Sequence, residues 1–139
     1  MPQNLCPTCV FAIIKGERLD NFFPQRHPEK DGKGDFEEGR AWVTAKKHLD
    51  RAAKRGLRMP VVFADAAVDC SQLIYWALLD AITINDKSTH YRFSHLTQLG
   101  LHEHQTQDLT LESTGQPISD GFIRSYAICQ TPQFLFEEP

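Results

Sequence analysis

The stretch 73–97 constrains the fold most. Residues 73–84 are the most apolar segment of the chain, with Trp76, Leu78, Leu79 and Ile82 inside it. Ser71 offers a cap for a helix through Ile82, but Ile82-Thr83-Ile84 running into Asn85-Asp86 also reads as a strand entering a tight turn. Beyond that turn Tyr91 and Phe93 fall on one side and His90 and Arg92 on the other, the two-residue period of a half-buried strand. That alternation favours a hairpin across 73–97. Its neighbours are strand-like too: the apolar run 9–15, Val61-Val62-Phe63 after Pro60, the alternating Leu109 and Leu111, and 122–129. Five or six strands are expected, mostly antiparallel because the connections are short.

Residues 40–58 read as the one solid helix. Trp42, Ala45, Leu49, Ala52 and Ala53 recur at helical spacing and form an apolar stripe. Thr44 or Asp35 is a candidate cap, and Gly56 a candidate stop. From Lys46 to Arg58 the chain carries six Lys or Arg against one Asp, whereas the whole chain has a net charge of −3. Such a basic face suits phosphates, and it equally suits a solvated amphipathic helix.

The chain has 139 residues, of which 41% are hydrophobic and 24% charged. This fits one domain over 1–139 with a real core, and it excludes wholesale disorder, collagen-like repeats and coiled coil. No stretch approaches the roughly 20 apolar residues of a membrane helix. Met1-Pro2-Gln3-Asn4 opens no signal peptide, so a cytoplasmic location with reduced thiols and no membrane partner is expected. Residues 16–39 are rich in Gly, Pro and charge, and 24–39 reads as an exposed flexible loop.

Cys6-Pro7-Thr8-Cys9 supplies half of a tetrahedral zinc site, and His102 and His104 complete the count of four ligands. The same spacing fits a redox pair, although a strand rather than a helix follows it, and it fits two small residues at a strand entrance. Among the aromatics, Trp76 lies inside an apolar run and reads as core. Trp42, at the start of the basic helix, reads as the better stacking residue, with Tyr75 or Tyr91 as its partner. Asp65, Asp69, Glu112, His48, His90 and His95 are acid–base candidates, but no Walker loop, nucleophile elbow, zinc-protease helix or dinucleotide fingerprint is present.

Two stretches resemble a known family. Pro60-Val61-Val62-Phe63-Ala64-Asp65, and the strand from Leu73 to Ile82 with its partner around Tyr91-Arg92-Phe93, are similar to strands of the PUA-like barrels, which include the EVE, ASCH and YTH domains. The resemblance spans about half the chain, 60–100. It implies an α+β fold, a small and mostly antiparallel β-barrel with one prominent amphipathic helix. It also implies a pocket between strands for a nucleobase, often a modified one, turned out of a nucleic acid.

The functional expectation is therefore a nucleic-acid or nucleotide binding module. Lys47, Arg51, Lys54 and Arg55 would neutralise phosphates, Trp42 with Tyr75 or Tyr91 would stack a base, and Asp65, Thr44 or Ser113 would bond its edge. A second expectation is a small hydrolase of modified nucleosides, with Asp65 or Glu112 as general base beside a Lys or His. A third is a protein-interaction domain stabilised by zinc.

Overall fold

The computed structural model describes residues 4–14, 16–20, 32–65, 72–100, 103–118 and 126–136. Strand β1 (Thr8–Ile14) leads into a short helix α1 (Gly16–Asp20) and strand β2 (Gly34–Glu38). Helix α2 (Val43–Lys54) and strand β3 (Met59–Asp65) follow, then β4 (Leu73–Asn85) and β5 (Ser88–Gln98). Strand β6 (Tyr126–Gln130) and the single-turn helix α3 (Gln133–Phe136) end the described chain.

The strands form one six-stranded mixed sheet in the order β2-β5-β4-β3-β1-β6. The sheet is open, with β2 and β6 at its edges. The expected hairpin is present: β4 and β5 pair antiparallel from Asn85↔Ser88 upward, and Asp86 takes the left-handed conformation the turn requires (φ 55°). The exception to antiparallel pairing is β1 beside β3, in register Val10↔Val61. The short-connection argument fails for this pair because α1, β2 and α2 lie between the two strands, a crossover long enough for parallel neighbours.

Part of the loop expected over 24–39 is strand. Gly34–Glu38 pairs with β5, with Phe36 buried opposite Tyr91 while Asp35 and Glu37 face outward. One inward aromatic among charges is a weak signal in sequence, and its partner Tyr91 lies 55 residues on; beside it His90 Nε2 sits 2.6 Å from Asp35.

Both faces of the sheet are covered. On one face Val10, Val61, Phe63, Tyr91 and Phe93 pack under α2 through Ala45 and Ala52. On the other, Phe11, Val62, Trp76 and Cys129 pack beneath Leu5, Leu109, Ile118 and Leu135. Irregularities in the β4–β5 ladder near Leu78 and Asp80 break the simple alternation. Trp76 shares its face with Leu78 as the spacing predicts, but Ile74 packs against the opposite cluster, because the β3–β4 register skips it: Phe63 pairs with Tyr75 and Ala64 with Leu73.

Helix α2 ends as its sequence predicts. Gly56 is left-handed (φ 70°), and the N–H groups of Gly56 and Leu57 reach back to Ala53 and Ala52, the bonding of a Schellman stop. Its start differs from expectation. The N-cap is Trp42, with no side-chain cap from Thr44 or Asp35. The Trp42 N–H is satisfied instead by the Thr89 hydroxyl on β5, at 2.8 Å. No helix among the described residues is long and apolar enough to cross a membrane.

Candidate functional site

A cleft of about 900 Å³ lies at one end of α2. Three elements meet there. Gly39, Arg40, Ala41, Thr44 and His48 form the wall at the start of α2, and Asp86 and Lys87 at the β4–β5 turn form a second side. Leu111 to Thr114 together with Tyr126, Ala127 and Ile128 close the third.

Each wall is held by specific bonds. Thr89, buried to 1% exposure, donates to the Arg40 carbonyl at 2.7 Å while accepting from Trp42. One hydroxyl thus fixes the backbone on both sides of Ala41, where the chain enters α2. The turn at 111–114 is fastened to the open edge of β6: Glu112 N–H donates to Ile128 at 3.0 Å and Gln130 N–H to Thr110 at 2.8 Å. His48 Nδ1 lies 3.3 Å from the Thr8 hydroxyl, which ties the helix wall to the start of β1.

The floor is aromatic. Trp42 is stacked between Tyr91 (centroids 4.5 Å apart, 17° between planes) and Tyr126 (5.0 Å, 28°). Tyr91 and Trp42 are buried, and Tyr126, half-buried, is the member of the stack that lines the cleft. Burial raises the Tyr91 hydroxyl pKa, the Glu38 charge adds to that and Arg18 opposes it, so the phenol stays neutral. The Trp42 indole N–H has no partner among the described residues.

Arg40, His48 and Lys87 bring basic groups to the cleft, Asp86 and Glu112 bring carboxylates, and Thr44, Ser113, Thr114 and Tyr126 bring hydroxyls. Two of the residues expected to bind ligand, Thr44 and Ser113, meet here. Trp42 does not reach the surface: the apolar stripe that carries it turns it into the core, where it supports Tyr126 from behind. Tyr75 is also buried and donates to Asp20 at 2.5 Å. Tyr91 lies below Trp42, and Asp65 ends β3 with its N–H bonded to the Gln72 carbonyl, outside the cleft lining. Lys47, Arg51, Lys54 and Arg55 are exposed along α2 beyond the cleft lining.

Tyr126, Arg40 and Lys87 are cleft residues that the sequence did not single out. The C-terminal strand offered one signal, since Tyr126 and Ile128 alternate with Ala127 and so share a face. Nothing local to Arg40 or Lys87 indicates that two turns far apart in sequence converge.

The proposed metal set is not assembled among the described residues. His102 lies outside them. Cys6, which precedes β1, packs in the cluster on the α2 face of the sheet, and Cys9, within β1, in the cluster on the other. His104 is stacked on Phe134 (3.7 Å) and lies 3.5 Å from Glu103. No three His, Cys, Asp or Glu side chains among the described residues come together as a metal site. Burial pushes the Cys129 thiol up to about 12; burial, reinforced by Cys129, also raises the Cys9 thiol well above its ordinary value. Such thiols are poor nucleophiles, which counts against the redox reading of Cys9.

Compared with known proteins, the chain matches no family model and no curated sequence.

Proposed function

We propose that the chain is a binding module for a nucleotide or nucleic acid, with the α2–β6 cleft as its site. One observation carries this reading: a half-buried tyrosine, Tyr126, lines a hydroxyl-rich cleft that also holds Arg40 and Lys87, while its ring is stacked on a buried tryptophan. A ring held by Trp42 is a pre-ordered platform for a base, because its rotamer entropy is already spent. Arg40 and Lys87 would take the phosphate, and Thr44, Ser113 and Thr114 the edge of the base. The PUA-like resemblance belongs to this proposal and adds that the base is a modified one in a barrel pocket. The register irregularities between β4 and β5 support it, since bulges of that kind are common in curved sheets.

The test is calorimetric titration of the four common nucleoside monophosphates and a short single-stranded oligonucleotide. Tyr126→Ala is expected to weaken binding by roughly 1–3 kcal/mol, the worth of one stacked base, while Tyr126→Phe retains it. The reading fails if none of these ligands binds at millimolar concentration, or if Tyr126→Ala binds as well as the parent.

A second reading, hydrolysis of a modified nucleoside, is favoured by the presence of Glu112 and His48 in the same cleft. Glu112 would activate water and His48 would protonate the leaving group. Release of free base from a nucleoside panel, lost in Glu112→Gln without loss of binding, is the expected outcome. Zinc, and with it a metal-stabilised interaction domain, remains a separate proposal that metal analysis of the purified protein decides.

A further inference from the structure

The flank of α2 that enters the cleft does not end there. Thr44 and His48 line the cleft, and at 100° per residue the same flank continues through Arg51 and Arg55. From Thr44 to Arg55 the helix rises about 16 Å, room for several phosphates of a strand whose charges recur every 3.4 Å or more. The two flanks of α2 differ in how their charge is used. On the far side Lys46 is paired with Asp50 (3.3 Å), and beyond the helix Arg58 is paired with Asp80 (2.9 Å). Arg51 and Arg55 are exposed, and neither forms an ion pair among the described residues. Uncompensated positive charge therefore leads away from the cleft along one side of the helix.

Resting on the nucleotide reading of the cleft, we infer that the ligand is a single-stranded nucleic acid, with one base against Tyr126 and its backbone running along α2 past His48, Arg51 and Arg55. A single strand suits this arrangement better than a duplex, because a base must leave its stack to enter the cleft and a duplex would oppose that by a few kcal/mol.

Fluorescence anisotropy with a labelled oligonucleotide of about eight nucleotides tests the path. It is compared with the same sequence as a duplex and with a mononucleotide measured by calorimetry. The path predicts that the oligonucleotide binds at least tenfold more tightly than the mononucleotide. Arg51→Gln with Arg55→Gln should then lose most of that gain, lower the slope of log affinity against log salt by about 1.4, and leave mononucleotide binding unchanged. Lys46→Gln with Arg58→Gln removes the same charge from the other side and should change little. The path is overturned if both double variants weaken the oligonucleotide equally, if Arg51→Gln with Arg55→Gln leaves affinity and salt slope unchanged, or if the duplex binds more tightly. Mononucleotide binding with no gain for the oligonucleotide overturns the path and spares the cleft. Binding of neither ligand overturns both.

Discussion

The Thr89 hydroxyl accepts the backbone N–H of Trp42 across 2.8 Å, joining the hairpin end of β5 to the N-cap of the cleft-forming helix. Thr89 lies next to His90 on β5, 47 residues from Trp42, and its second bond, to the Arg40 carbonyl, uses its one donor at this buried position. Thr89→Val keeps the shape but orphans both backbone groups. It should destabilise the fold by roughly 1–3 kcal/mol, and Thr89→Ser should recover most of that. Urea denaturation of the two variants measures the difference. Equal stability of Val and Thr at this position would show that the helix start is held by something else.

Both tryptophans are core residues, on opposite faces of the sheet. Trp76→Ala and Trp42→Ala should each cost on the order of 3–5 kcal/mol, enough to unfold a domain of ordinary stability. Trp42→Phe should keep the fold and a smaller, weaker support for Tyr126. Chemical denaturation followed by far-UV circular dichroism checks all three. A folded Trp42→Ala with full stability would return Trp42 to the surface role that its place in the sequence suggests.

The thiols of Cys9 and Cys129 face the same core cluster and are shielded from solvent. Neither should react with a water-soluble alkylating reagent in the folded protein at neutral pH, and both should react in denaturant. Because the Cys129 pKa rises from 9.0 to about 12 on folding, its contribution to stability is complete below pH 9 and is lost as pH climbs toward 12. The folded state holds the proton that the unfolded state has released, so stability falls by at most about 1.4 kcal/mol per pH unit across that window for this group. Cys129→Ser should flatten the alkaline limb of a stability–pH curve. A limb of unchanged slope would assign the loss to other groups.

Gly56 closes α2 with φ 70° and open space around the position of a side chain. Gly56→Ala meets no clash, so its cost is the backbone conformation alone, about 1 kcal/mol. A thermal melt that shifts by only a few degrees fits that value. A much larger shift would mean that the helix stop controls packing of Leu57 as well.

Local pattern decided the elements of this protein. The alternation at Tyr91 and Phe93, the turn at Asn85-Asp86, the apolar stripe through Ala45, Leu49 and Ala52, and the stop at Gly56 each specify their structure from within a few residues, because hydrophobic periodicity and backbone restriction act at short range. Tertiary structure decided what those elements assemble. The sequence cannot show that Gly34–Glu38 finds β5, that a long crossover turns β1 and β3 parallel, or that Trp42 is sealed between Tyr91 and Tyr126, because each depends on partners about 50 to 85 residues away. The same holds for the cleft: Arg40, Lys87 and Tyr126 come from three separate turns or strands and share no spacing. Their meeting follows from the order of strands in the sheet and from one buried hydroxyl, Thr89, that sets where the helix begins.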